Sequence, residues 1–237
     1  LPRQEMGWIN AVALDPNNPL VAYAGAPNGG LWRTLDIEAA QPVWQNITDQ
    51  TSLPGMGIGD ILIDPSNSDI LYIATGYYTG SEIQYGVGVM KTTNGTDPLP
   101  TWEFTGLNFN PFQGEVAAVK KLIMSPVDHN TLYAYTAKEV YKTTDAGATW
   151  NTLGLGVAIT YGNRNAEGMV LDPVNHADIL VTMVDSLPKL WHWNNSTTQW
   201  NEVTPNLTAV PKRTVVLATS LNNVYALYID TNGVKRI

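Results

Sequence analysis

The sequence predicts an all-β chain: a β-propeller segment of about four four-stranded blades plus part of a fifth, an incomplete portion of a larger propeller. Three observations predict it. One plan recurs in the segments INAVALDPNNPLVAYAG (9–25), IGDILIDPSNSDILYIATG (58–76), KKLIMSPVDHNTLYAYT (120–136) and EGMVLDPVNHADILVTM (167–183). A second pair of β-rich runs follows each of them. The period is roughly 50 residues, which suits a four-stranded propeller blade. A tandem four-helix repeat is the rival, but the runs are short and Pro and Gly break every turn.

Each repeated segment holds two alternating apolar runs around a turn that opens Asp-Pro or Ser-Pro, at Asp15, Asp64, Ser125 and Asp172. Proline presets φ at the second turn position, and the preceding Asp or Ser can bond the turn's amides, so each segment reads as a β-hairpin. Third strands are expected at GGLWRTLD (29–36), GVMKTTN (88–94), EVYKTTD (139–145) and KLWHWNN (189–195). Fourth strands start at Trp44, Trp102, Trp150 and Trp200. This places blade 1 at about 8–50, blade 2 at about 56–107, blade 3 at about 115–155 and blade 4 at about 164–205. A fifth unit, TVVLATSLNNVYALYIDTNGVKRI (214–237), has room for about three strands, so a partial blade 5 spans about 213–237.

Composition narrows the partners. Of 237 residues, 44% are hydrophobic, enough for a core, and only 14% are charged. Acids outnumber lysine and arginine 21 to 13, and the bases do not cluster. A phosphate backbone needs a basic stripe, so nucleic acid is excluded as a partner. No apolar run reaches the ~18 residues of a membrane helix, so no membrane insertion is expected. The absence of cysteine rules out disulfides and thiolate metal sites and leans towards a bacterial source. The chain begins LPRQEM with no basic-then-apolar segment, so an export signal would lie outside it.

The most patterned stretch is KTTDAGATW (142–150). A carboxylate at Asp145 can accept from the amides that follow it, Gly147 can take φ > 0, and Trp150 can pack under the hairpin. A turn is expected, in preference to a catalytic acid. The stretch resembles the Asp-box, or BNR repeat, Ser/Thr-x-Asp-x-Gly-x-Thr-Trp, matched by Thr143, Asp145, Gly147, Thr149 and Trp150. Blade 2 carries a decayed copy in Thr92, Asn94 and Trp102, with an insertion; blade 1 keeps Thr34, Asp36 and Trp44; blade 4 keeps the turn and Trp200. Asp-boxes are found in sialidases, sortilin-type receptors, xyloglucanase-type glycoside hydrolases, photosystem assembly factors and many exported bacterial propellers. The wording GGLWRT, IGDILIDPSNSDILYIATG and VYKTTDAGATW is most similar to cell-surface or secreted propellers of Bacteroidetes-type bacteria, many of them type IX secretion cargo. The resemblance implies an extracellular or cell-surface location. It also implies a box at the outer rim and ligands at the channel mouth, on the loops leading into strand one and those joining strands two and three.

A catalytic set, if the chain carries one, is expected at that mouth. The family's sialidases need an arginine triad and a tyrosine nucleophile. Of Arg3, Arg33, Arg164, Arg213 and Arg236, only Arg164 falls in a mouth loop, and the Arg-Ile-Pro signature is missing. Xyloglucanase-type enzymes carry an aspartate two residues before the Gly-Gly of the first blade; here YAGAPNGGLWRT puts Pro27 and Asn28 in that region. Asp60, Glu115 and Glu167 lie near the starts of first strands, and Glu5 is a further acid upstream. A pair of these could serve as glycosidase carboxylates; the blander reading, solvated loop acids, is preferred. His129 and His176 occupy equivalent turns a blade apart, poor joint metal ligands, and His192 is alone on a strand. No cofactor is implied; TNGTD and DTNG leave calcium open but lack a full calcium-loop spacing. Sequons occur at Asn46, Asn94, Asn194, Asn195 and Asn206, as chance allows in so Asn- and Thr-rich a chain, and Asp185–Leu187 is a short match to a Bacteroidetes O-glycosylation motif.

One loop stands out. GYYTGSEIQYG (76–86) joins strands two and three of blade 2 and holds Tyr77, Tyr78 and Tyr85 with Glu82 and Gln84. Tyrosine offers contact area at low entropy cost and a hydroxyl, which suits sugars and protein partners. The expected ligand-binding set is therefore Tyr77, Tyr78, Tyr85, Asp60, Arg164 and Glu167. The leading expectation is a non-catalytic scaffold that binds protein or glycan on its propeller face, joined to further domains of the same polypeptide. The alternatives are a glycoside hydrolase with part of its active site outside the segment, and a photosystem-type assembly factor.

Overall fold

The computed structural model describes residues 8–49, 57–79, 82–84, 86–109, 118–136, 139–155, 166–184, 188–204, 213–220, 223–230 and 233–236. Of these, 77–79, 82–84, 166–167, 183–184, 188 and everything from 213 onward are described by backbone alone. Four four-stranded antiparallel sheets follow one another along the chain. Blade 1 is β1 (Ala11–Leu14), β2 (Ala22–Ala26), β3 (Gly30–Thr34) and β4 (Gln45–Asn46). Blade 2 is β5 (Ile58–Ile63), β6 (Leu71–Thr75), β9 (Gly88–Thr92) and β10 (Glu103–Asn108). Between β6 and β9 stands a separate ribbon of β7 (Tyr77–Thr79) and β8 (Glu82–Gln84). Blade 3 is β11 (Val119–Met124), β12 (Leu132–Thr136), β13 (Val140–Thr143) and β14 (Asn151–Thr152). Blade 4 is β15 (Ala166–Leu171), β16 (Ile179–Val184), β17 (Pro188–Asn194) and β18 (Gln199–Glu202). The last strands, β19 (Arg213–Ser220), β20 (Asn223–Asp230) and β21 (Gly233–Arg236), form a three-stranded sheet.

The first strands β1, β5, β11, β15 and β19 lie against one another in succession, so they form the inner wall and the later strands run outward. The Asp-Pro turns close by their own side chains. The Asp15, Asp64 and Asp172 carboxylates accept the amides of Asn17, Ser66 and Val174 at 2.7–2.8 Å. Ser125 does the same for Val127 more weakly, at 3.4 Å.

The core lies between blades. Ala11, Tyr23 and Leu31 of blade 1 meet Ile58, Leu71 and Ile73 of blade 2. The other face of blade 2, with Tyr72, Ala74 and Val89, meets Leu122, Leu132 and Ala134 of blade 3. Tyr133, Tyr135 and Val140 then meet Met169, Ile179 and Val181 of blade 4. Blades 2 and 3 are therefore covered on both faces. That is why every residue of β6 and β12 is buried, and why Leu-Tyr-Ile-Ala-Thr and Leu-Tyr-Ala-Tyr-Thr read as near-continuous apolar runs.

Candidate functional site

At the channel mouth, three first strands carry the same irregularity. The pairing of β5, β11 and β15 with their second strands shifts register by one residue, at Gly59, Lys120 and Glu167. Such bulges re-aim the chain where a strand leaves its sheet. Asn10 holds the equivalent place in blade 1. Its amide N–H donates to the Gly25 carbonyl at 2.8 Å, and its Nδ2 donates to the carbonyls of Ile58 and Gly59 at 3.0 and 3.1 Å. The blade 2 bulge thus presents carbonyls that a blade 1 side chain caps.

Asp60 follows the blade 2 bulge and is already engaged. Its carboxylate accepts the Leu122 amide at 2.8 Å and pairs with the Lys121 ammonium at 3.0 Å. It therefore ties blade 2 to the inner strand of blade 3. Glu167 is placed by its backbone at the blade 4 bulge. Arg164 and Tyr85 lie outside the described residues, as do Glu5 and Glu115.

The stretch expected to be a loop with tyrosines is a paired ribbon, with Tyr77 opposite Gln84 and Tyr78 opposite Ile83. Two glycines pin its base. Gly76 has φ 91°, and a Cβ there would sit 2.9 Å from the backbones of both Gly86 and Ala118. The ribbon thus springs from a point packed against blade 3, and β7 runs beside β11. In blade 1 the equivalent connection is a short turn. Pro27 is buried and Asn28 exposed. The Gly29 carbonyl accepts from Trp32 Nε1 and Asn46 Nδ2, each at 2.8 Å.

The rim holds the Asp-box. The Asp145 carboxylate accepts the Thr149 amide at 2.8 Å and the hydroxyls of Thr143 and Thr149 at 2.6 Å each. The Thr143 hydroxyl and then the two Thr149 donors hold the carboxyl down to about 2. Ala146 and Gly147 both adopt left-handed φ, 55° and 92°. This turns two carbonyls outward, towards blade 2. The Tyr72 hydroxyl and Lys91 Nζ donate to Ala146 O at 3.1 and 3.4 Å, and the Gly106 amide donates to Gly147 O at 2.8 Å. Burial pushes the Tyr72 phenol up to about 12, so it remains a donor at neutral pH. The same grip joins blades 1 and 2, where the Arg33 guanidinium donates to the carbonyls of Gly95 and, at 2.9 Å, Asp97. The box is an inter-blade clasp.

The grips are what the sequence reading missed. A faint repeat announces them: a tyrosine second in each of the first three second strands (Tyr23, Tyr72, Tyr133), paired with a cation in the third (Arg33, Lys91, Lys142). Lys91 and Lys142 each sit over the ring of their tyrosine, 5.2 and 5.5 Å from the centroid.

The decayed box of blade 2 keeps the geometry. Asn94 Oδ1 accepts the Thr101 amide at 2.9 Å and the hydroxyls of Thr92 and Thr101 at 2.8 and 3.1 Å. Its Nδ2 donates to the Asp97 carboxylate at 2.9 Å. Asp97 belongs to the insertion, so an aspartate at 94 would face a second carboxylate; the amide is the matched choice.

His129 reaches across to blade 2, with Nδ1 2.9 Å from Asp64 and 3.1 Å from Ser66 Oγ. His192 pairs within blade 4 with Asp178 at 3.0 Å. Among the described residues, no three His, Cys, Asp or Glu side chains gather as metal ligands. Away from the mouth, an open cavity of about 440 Å³ lies along the inner wall, lined by Leu14, Pro16, Leu62, Pro65, Ile123 and Pro126 among others.

No family model matches the chain. In sequence it is similar to the xyloglucanase of Hypocrea jecorina, 28% identical over 152 residues, which cover 61% of this chain and 17% of that protein. It is also similar to a xyloglucanase of Paenibacillus sp, 26% identical over 209 residues, covering 86% of this chain and 16% of that one. The chain therefore spans less than a fifth of the length of these relatives. In fold it matches an ancestral GH74 enzyme with TM-score 0.70 at 20% identity, over 95% of this chain and 31% of that one. It also matches the extracellular domain of a B. thetaiotaomicron protein assigned to the hybrid two-component systems, with TM-score 0.64 at 16% identity, over all of this chain and 28% of that one. The chain is an Asp-box-type β-propeller segment, a partial propeller similar in sequence to xyloglucanases.

Proposed function

We propose that this chain is a non-catalytic propeller module of an exported bacterial protein, binding protein or glycan at its channel mouth. The observation that carries the reading is the blade 1 turn. The region where xyloglucanase-type enzymes carry an aspartate holds Pro27 and Asn28, neither of which can act as a general acid or base. The mouth acid Asp60 supports it, because its carboxylate already serves the Leu122 amide and Lys121. Binding is assigned to the face bearing the blade 2 ribbon, with Tyr77, Tyr78 and Tyr85 as contacts and Asp60, Arg164 and Glu167 beside them. Further domains of the same polypeptide complete the ring.

Sequence similarity to xyloglucanases favours a second reading, a glycoside hydrolase whose acids come partly from other blades. The experiment that separates the two incubates freshly purified protein with xyloglucan and related polysaccharides. Reducing ends and retained polysaccharide are measured in parallel. Retention without turnover, weakened about tenfold or more by truncating one of the three tyrosines, is the expected result. Turnover abolished by Asp60→Asn or Glu167→Gln would establish the hydrolase instead.

A further inference from the structure

The sequence contains Asn-Gly three times, at 28–29, 94–95 and 232–233, and the structure gives the first two opposite chemical fates. Asn232 lies outside the described residues. An asparagine followed by glycine is the dipeptide best able to cyclise. The glycine amide nitrogen attacks the side-chain carbonyl carbon without hindrance from a following Cβ, and ammonia leaves. Water then opens the resulting succinimide at either carbonyl, giving aspartate or isoaspartate. The balance is asparagine plus water to aspartate plus ammonia, with no oxidant or cofactor. Two conditions govern the first step: the attacking amide must be free of other bonds, and the side-chain amide must be able to swing towards it.

Asn94 fails both. The Gly95 amide donates to the Asp69 carbonyl at 2.9 Å. The Asn94 side chain is held on both atoms, its Oδ1 by Thr92 and Thr101 and its Nδ2 by Asp97. Asn28 meets both. Its side chain is exposed, and among the described residues neither that side chain nor the Gly29 amide has a hydrogen-bond partner. The turn is fixed on either side of it, by buried Pro27 before and by the doubly bonded Gly29 carbonyl after. Asn28 is thus an exposed apex on an anchored turn, free to sample the attacking geometry while its neighbours stay in place.

We propose that Asn28 is a site of spontaneous deamidation, which converts the uncharged blade 1 mouth turn into an acidic one. The product adds one negative charge to the formal −8 of the chain, at the channel mouth. It also installs a carboxylate in the region where the resemblance to xyloglucanase-type enzymes leads one to look for an acid. The inference concerns the turn's own chemistry and stands whether the module binds or hydrolyses.

The test ages the purified protein in mildly alkaline buffer at physiological temperature. Peptides spanning 28–29 and 94–95 are followed by mass spectrometry, with enzymatic detection of isoaspartate. The same incubation is run in denaturant. In the native protein the Asn28 peptide should convert faster than the Asn94 peptide by on the order of tenfold or more, since several hydrogen bonds must open before Asn94 can react. In denaturant the two should converge. Gly29→Ala and Asn28→Gln should each suppress conversion and the accompanying acidic shift on ion exchange, with the fold checked by circular dichroism. An Asn28 peptide that stays intact in the native protein but converts in denaturant would overturn the proposal, as would native conversion at Asn94 equal to that at Asn28.

Discussion

The Tyr72 hydroxyl donates to the Ala146 carbonyl at 3.1 Å, a bond from blade 2 to the Asp-box turn of blade 3 across 74 positions of sequence. It makes the box more than a local turn. The internal bonds of Thr143, Asp145 and Thr149 hold a short loop in left-handed geometry, and that geometry points carbonyls at the neighbouring blade. Tyr72→Phe removes the donor and leaves the ring in place. The expected loss is about 1 kcal/mol, a fall of about 2–4 °C in Tm for a domain of this size. Differential scanning calorimetry checks it, and a Tm equal to the parent's would show that Lys91 alone satisfies the carbonyl.

A glycine in the outer strand of blade 2 tests the same junction from the other side. A Cβ at Gly106 would lie 2.3 Å from the Ala148 carbonyl oxygen, which is backbone and cannot turn aside. Gly106→Ala is expected to cost more stability than Tyr72→Phe, because it pushes the clasp apart where the other only loosens it. Equal or smaller loss in urea unfolding would mean that the blades slide freely at the rim.

Restoring the Asp-box consensus in blade 2 should do harm. Asn94→Asp replaces an amide donor facing the Asp97 carboxylate with a second carboxylate about 3 Å away, a like-charge contact. Stability should fall at neutral pH, and Asp97→Asn should return most of the loss in the double variant. A double-mutant cycle measures this coupling, and an Asn94→Asp protein as stable as the parent would refute the matched-pair explanation.

Asp145 gives the clasp an acid limit. Its carboxyl lies at about 2 in the folded chain, well below the ordinary carboxylate range, so its contribution is present above the unfolded value and is lost as pH falls towards 2. The parent should lose stability over that window, and Asp145→Ala, less stable at neutral pH, should show a flatter acid limb. Parallel acid limbs for the two proteins, followed by fluorescence, would place the acid sensitivity elsewhere.

What could be read beforehand was what is local. Asp-Pro turns, the Thr143 to Trp150 turn and the alternation of strands each depend on a few adjacent residues. The inter-blade contacts depend on residues far apart, so Tyr72, Arg33 and Gly106 looked like ordinary strand positions. Arg33, outside the mouth loops by its place in sequence, grips Gly95 and Asp97 at the rim. Asp60 reads from its strand as an acid near the start of β5, and its bond to the Leu122 amide needs the neighbouring blade to be seen. The ribbon escaped because three-residue strands carry no periodicity; its pinning by Gly76 and Gly86 is a packing fact.

The clasps have a direction. Arg33 waits for Gly95, and Tyr72 and Lys91 wait for Ala146, so each hook precedes its eye in the chain. On a ribosome, a completed blade therefore leaves with its hooks unfilled, and the next blade's rim turn must emerge before they close. A stall in synthesis between blades would leave a buried-type tyrosine and a cation exposed on the last one made, the feature a quality-control factor would meet.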